Sequence, residues 1–158
     1  MHPTTSATIW KLELIWWVFS AVLIGLVLYP IFSSGITYPF WKENTCFIIA
    51  FITSTRYVFL LKYTPIAVVQ WSKVAVLLFS VPCLYLLVSW FHAFQLYLDE
   101  GGVLSLVPAG LDDGMEGALT GYIRTQMLFF ATGALLSTIV LPFRMLVSFW
   151  RTHNRGTV

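Results

Sequence analysis

The sequence predicts an all-α, polytopic membrane protein with four transmembrane helices and both termini in the cytoplasm. Of its 158 residues, 58% are apolar and only 10% are charged, whereas soluble domains are about 45–50% apolar and about 25% charged. The apolar residues form runs long enough to cross a bilayer, which takes about 20 helical residues. The connections between the runs are short and polar, so we predict a single domain over residues 1–158.

The first two predicted spans cover residues 12–32 and 45–62. The first is longer than the apolar core of a signal peptide, and no small-residue cleavage site follows Pro30. Tryptophans near its start and Tyr29 near its end fit the aromatic belts of two membrane interfaces. The second span contains Arg56, and an arginine at that depth needs a carboxylate, a carbonyl or a route to the headgroups.

The third and fourth predicted spans cover residues 74–98 and 122–147. An acidic outer loop of 24 residues, 99–122, connects them. Within this loop, Asp113 and Glu116 have the spacing of a helix start. We therefore expect a long last helix that begins near Asp113 and either projects beyond the membrane on the acidic side or bends near its other end.

The positions of the charged residues predict the orientation, because lysine and arginine favour the cytoplasmic side. In the four-span arrangement six basic residues share one side, namely Lys11, Lys62, Lys73, Arg144, Arg151 and Arg155, while Lys42 and Arg124 lie on the other. The second side also holds Glu43, Asp99, Glu100, Asp112, Asp113 and Glu116. It carries no Asn-x-Ser/Thr glycosylation acceptor, which favours a bacterial inner membrane.

Glu13 and Arg56 are the predicted intramembrane ion pair. Glu13 lies about one turn inside the first span, and Arg56 lies about 9 Å along its helix from Lys62 at the same face. The two residues therefore have similar depth on helices joined by a short connection. Two alternatives are that Arg56 extends its guanidinium to the cytoplasmic headgroups, or that it faces a partner subunit.

His92, Gln95 and Arg124 are a candidate contact for a quinone or a lipid headgroup near the outer face. A haem is disfavoured, because it usually needs two axial histidines and both His2 and His153 lie on the opposite side. We predict no cofactor other than bound lipid.

The carboxylates of the outer loop are predicted to form a surface for a protein partner. They are Asp99, Glu100, Asp112, Asp113 and Glu116. The sequence lacks a calcium-loop motif and the common motifs for nucleophilic or zinc catalysis, so we predict no metal site and no catalytic residue.

Pairs of small residues four positions apart predict close helix packing. They are Ala21 with Gly25, Gly117 with Gly121, and Gly133 with Ser137. The spacing does not indicate which helix is the partner.

These observations favour a non-enzymatic integral membrane subunit or assembly factor of a larger inner-membrane complex. Its expected partners are membrane lipid and either other integral membrane subunits or further copies of itself. Nucleic acid is excluded as a partner because the basic residues form no run. One alternative is an oligomeric transporter or channel that uses Arg56 and the Thr53-Ser54-Thr55 run, and another is a membrane enzyme that binds a lipid or quinone near His92.

Overall fold

The computed structural model describes residues 6–100 and 113–154, and the regular structure in these two ranges is helical throughout. The elements are α1 (Ser6–Ser33), α2 (Trp41–Phe59), a 3-10 turn (Leu61–Tyr63), α3 (Pro65–Val68), α4 (Gln70–Glu100) and α5 (Asp113–Asn154). The prediction of an all-helical chain is confirmed. Residues 101–112 of the predicted acidic loop lie outside the described residues.

Three helices within the described ranges are long and apolar enough to cross a membrane. They comprise Ala7–Ser33 of α1, Trp71–Glu100 of α4 and Gly114–Arg151 of α5. The 19 residues of α2 do not form a fourth, because this helix holds three charged residues, Lys42, Glu43 and Arg56, and its first turns are polar. A membrane helical protein is therefore supported, whereas the predicted count of four spans stays a prediction.

The last helix begins at Asp113, where the Asp-x-x-Glu spacing predicts a helix start. It continues for 42 residues, or roughly 63 Å at 1.5 Å per residue. Pro142 lies inside it and does not end it.

α1 is followed by a tight turn and a buried connection. Gly35 has a φ of 74°, the left-handed conformation that glycine adopts without a steric penalty. Ile36 and Tyr38 are then buried against Leu28 of α1 and Ile123 of α5. The connection therefore fixes the end of α1 against α5.

α5 is the central helix of the packing, since both α2 and α4 lie along it, and α1 contacts mainly α2. The main core combines residues from three helices: Phe47, Ile48 and Ile52 of α2, Leu87 and Phe94 of α4, and Met127, Phe130, Ala131 and Ala134 of α5. Because α2 lies between α1 and α5, its polar side chains can be enclosed by protein.

α2 and α5 pack tightly at Gly133. A Cβ added there would lie 2.8 Å from two ring atoms of Phe51. The same ring packs edge-on against Phe129 and Phe130, at centroid distances of 5.9 and 6.2 Å. The three other glycines of the small-residue pairs, Gly25, Gly117 and Gly121, have open space at the Cβ position.

The outer faces of α1 and α4 are apolar and exposed. On α1 they include Leu14, Ile15, Val18, Val22 and Leu26, and on α4 they include Leu78, Phe79, Val81, Tyr85 and Val88. Apolar surfaces of this extent face lipid or another protein.

Candidate functional site

Arg56 and Glu13 are brought together at one end of the bundle. Arg56 is in the last turn of α2, Glu13 is near the start of α1, and Nη2 of Arg56 donates a hydrogen bond to Oε2 of Glu13. The side chains are only 5% and 13% exposed. This is the one salt bridge found within residues 6–100 and 113–154.

Two aromatic rings enclose this ion pair. The Cζ atom of Arg56 lies 5.7 Å from the ring centroid of Trp16 and 5.7 Å from that of Tyr57. Trp16 lies about one helical turn after Glu13, so both project from the same face of α1. The hydroxyl of Tyr57 lies 3.5 Å from the second carboxylate oxygen of Glu13. Both charges are therefore neutralised within the chain, and the aromatic faces further stabilise the cation.

Two clefts adjoin the ion pair. The smaller has a volume of about 10 Å³, room for about one water molecule, and is lined by Glu13, Trp16, Trp17, Ser20, Ile52, Thr53 and Arg56. The larger, about 200 Å³, is lined mostly by apolar side chains of α1 and α2, with Phe59 at its exposed edge. The site holds a charged pair beside a cleft with room for about one water molecule.

The Thr53-Ser54-Thr55 run does not present one continuous polar face. Ser54 is buried, with its hydroxyl 3.3 Å from that of Thr138 on α5. Thr53 and Thr55 are half-buried and line the two different clefts.

A second polar contact lies at the opposite end of α2. Nδ2 of Asn44 donates to Oε1 of Gln126 on α5 over 2.9 Å, and both residues are buried. The hydroxyl of Tyr38 is nearby, and its burial raises the pKa of Tyr38, an effect that the neighbouring amides oppose. The Tyr38 phenol therefore stays neutral at physiological pH.

Replacing Asn44 with leucine should destabilise the bundle by about 1–3 kcal/mol, because Oε1 of Gln126 would be left buried without a donor. Unfolding monitored by circular dichroism in mild detergent measures this loss. The matched variant replaces both Asn44 and Gln126 with leucine and should recover part of it. Equal stability of the single variant and the natural protein would contradict the assigned contact.

Two further hydrogen bonds attach α5 to its neighbours, and sequence reasoning did not find them. Nε of Arg144 donates to the carbonyl oxygen of Val58 over 2.9 Å, at the end of α2. The hydroxyl of Tyr122 donates to the carbonyl oxygen of Val27 on α1, also over 2.9 Å. An arginine inside a predicted span is a signal that an acceptor is near, but nothing in the sequence indicates which carbonyl it is.

His92, Gln95 and Arg124 are all exposed, the first two on α4 and the third on α5. Within the described ranges no hydrogen bond joins any two of them. The quinone or lipid contact predicted for these residues stays a prediction.

The predicted acidic partner surface is described in part. Asp99 and Glu100 are exposed at the end of α4, and Glu116 is half-buried in the first turn of α5. Asp113 is the first residue of α5, and Asp112 lies outside the described residues. No group of three His, Cys, Asp or Glu residues that could hold a metal ion is found in the part of the chain that is described.

Comparisons with family models, with curated proteins and with solved structures found no match to this chain.

Proposed function

We propose that the protein is a non-enzymatic subunit or assembly factor of a larger complex in a bacterial inner membrane. In this proposal α1, α2, α4 and α5 all cross the bilayer, and both chain ends are cytoplasmic. The observation that carries the proposal is the outer surface of α1 and α4, which is apolar and has no partner within the described residues.

The direction in which polar side chains of α2 point supports a membrane-crossing position for this helix. Asn44, Ser54 and Arg56 are all buried and turn towards neighbouring helices. A helix of modest hydropathy can cross a bilayer when its polar groups are satisfied by protein.

The low burial of the candidate spans supports a role in a complex. Within an 18-residue apolar stretch of each candidate span, only 11% of the residues of α4 and 17% of those of α1 are buried, compared with 33% for α5. Two of the bundle's four long helices therefore present most of their surface outwards. Partner helices in a larger complex would cover the part of this surface that lipid does not.

The alternative of an oligomeric transporter has less support. It requires intramembrane polar groups that face a pathway, whereas Arg56 is paired with Glu13 and Ser54 faces Thr138. Opening a pathway at this site would require breaking a buried ion pair.

Purification of the full chain in mild detergent, with a lipid-soluble cross-linker added first, tests the proposal. We expect the chain to co-purify with other, larger integral membrane proteins in a fixed stoichiometry. A symmetric assembly of this chain alone would instead support the transporter. A monomer that retains a quinone or lipid would support the enzyme alternative.

A prediction for the partner surface concerns Gly25 on the exposed face of α1, where an added Cβ would meet no atom of residues 6–100 and 113–154 within 4 Å. Gly25→Leu should lower partner recovery about tenfold, since overpacking an interface costs about 1–3 kcal/mol. The variant's own thermal stability should not fall. Gly121→Leu is the control, because an added Cβ there also meets nothing and Gly121 lies on α5, outside the proposed surface; this variant should keep its partner. If the Gly25→Leu variant recovered its partner as well as the natural protein does, this face of α1 would not be a partner surface.

A further inference from the structure

A small cleft lies beside the salt bridge between Glu13 and Arg56, where α1 meets α2. This cleft, here called the ion-pair cleft, has a volume of about 10 Å³, which is room for about one water molecule. Its lining comprises Glu13, Trp16, Trp17 and Ser20 of α1 and Ile52, Thr53 and Arg56 of α2. Most of these side chains can donate or accept a hydrogen bond, so the cleft is polar as well as small.

Arg56 has more hydrogen-bond donors than the salt bridge uses. A guanidinium carries five N–H groups, and Glu13 is the one side chain within the described ranges that accepts from it. The Arg56 side chain is only 5% exposed, so bulk water reaches little of it. Because a buried donor without an acceptor costs free energy, a small acceptor in the adjoining cleft would stabilise the cation.

Two hydrogen-bond acceptors also line the ion-pair cleft. Oε1 of Glu13 lies 3.5 Å from the Tyr57 hydroxyl, whereas an O–H···O hydrogen bond is usually about 2.7–2.8 Å long. The Thr53 hydroxyl forms no hydrogen bond with a residue of the described ranges. Thr45, on the same helix, instead donates to the carbonyl oxygen of Trp41 over 2.7 Å. The Glu13 carboxylate and the Thr53 hydroxyl can therefore both accept from a molecule in this cleft.

We propose that the ion-pair cleft is a binding site for a single water molecule that joins α1 to α2. The water accepts a hydrogen bond from an N–H group of Arg56 and donates to the Glu13 carboxylate and the Thr53 hydroxyl oxygen. Three hydrogen bonds, about the usual number for a buried water, are thereby formed. The volume excludes an organic ligand, Arg56 repels a cation and Glu13 repels an anion, so water is the occupant that fits.

The bound water completes the polar surroundings of the ion pair. The attraction within a buried salt bridge outweighs the desolvation of its charges only when further hydrogen bonds satisfy the remaining donors and lone pairs. Thr53 is therefore a positioning residue, since its hydroxyl holds the water against the pair. The site does not depend on whether the protein is a subunit, a transporter or an enzyme.

A crystal structure of the full chain grown from a lipidic mesophase tests the proposal, at a resolution that reveals other buried waters. We expect one density peak within hydrogen-bond distance of both Arg56 and Glu13. The Thr53→Ser protein keeps the hydroxyl and should keep the peak, whereas Thr53→Val should lose it. Density for an acyl chain in the cleft, or no density there in the natural protein, would overturn the proposal.

Unfolding in mild detergent provides a second test. Thr53→Val keeps the shape of the side chain but removes a partner of the water, so it should raise the unfolding equilibrium constant about fivefold. Thr55→Val is the matched control, because Thr55 is on the same helix and lines the larger, mostly apolar cleft instead. It should change that constant by less than about twofold. Equal effects of the two substitutions would overturn the role assigned to Thr53 and its water.

Discussion

Arg56→Met should lower the free energy of unfolding by about 3–5 kcal/mol, because it leaves the carboxylate of Glu13 buried without its cation. Trp16 and Tyr57 would also lose the cation that lies between their rings. Unfolding in mild detergent, followed by circular dichroism, measures the change. Lys62→Met removes an exposed cation at the same end and should change stability by less than about 0.5 kcal/mol.

A double-mutant cycle separates an ion pair from two independent charges. Glu13→Gln combined with Arg56→Met should be more stable than Arg56→Met alone, since the uncompensated charge is removed. If Arg56→Met were as stable as the natural protein and the coupling energy were near zero, the guanidinium would instead reach the lipid headgroups. That result would show that Glu13 and Arg56 do not stabilise the fold as an ion pair.

Gly133→Leu is also expected to lower the free energy of unfolding. A Cβ at this position would already lie 2.8 Å from the ring of Phe51, so a leucine cannot fit unless that ring moves or α2 and α5 separate. Overpacking of this kind costs about 1–3 kcal/mol, measured by the same detergent unfolding.

Gly121→Leu is the matched control for that change, because Gly121 lies on the same helix and has open space at its Cβ. Helix propensity favours leucine over glycine, so this variant should be as stable as the natural protein or slightly more stable. Replacing Phe51 with alanine in the Gly133→Leu protein should restore part of its stability. Similar stabilities of Gly133→Leu and Gly121→Leu would contradict the close approach of α2 and α5.

The sequence is sufficient to predict most of the helices, because a membrane-length apolar run leaves the backbone few alternatives to a helix. It also predicts the start of α5, since the carboxylates at Asp113 and Glu116 have the capping spacing. Counting turns from the nearest charged residues also predicts that Glu13 and Arg56 lie at the same end of the bundle, where they form a salt bridge.

Contacts that depend on how each helix is oriented about its own axis could not be predicted in this way. Gly133 and Gly121 are both in small-residue pairs, yet only Gly133 would place a Cβ against a neighbouring side chain. Arg144 and Lys73 both count as cytoplasmic charges in the sequence, but one donates to the carbonyl oxygen of Val58 and the other is enclosed beside an apolar cleft. Side-chain environments of this kind depend on which faces of two helices meet.

The number of spans depends on α2. The sequence predicts a span over 45–62, whereas the helix extends over Trp41–Phe59 and includes Lys42 and Glu43 in its first turn. Its buried polar residues make it an inner helix of the bundle, and three other helices are apolar enough to cross a membrane. With α2 in the bilayer the chain crosses four times and its ends share a side. Without it the chain crosses three times and its ends lie on opposite sides.

Locating the two chain ends therefore distinguishes four membrane crossings from three. Fluorescent and phosphatase reporters fused in turn to each terminus of the full chain, expressed in a bacterial host, report which side each end occupies. We predict that both ends are cytoplasmic and that a reporter inserted within residues 101–112 is external. Termini on opposite faces of the membrane would contradict the four-span bundle and the sidedness assigned to its charges.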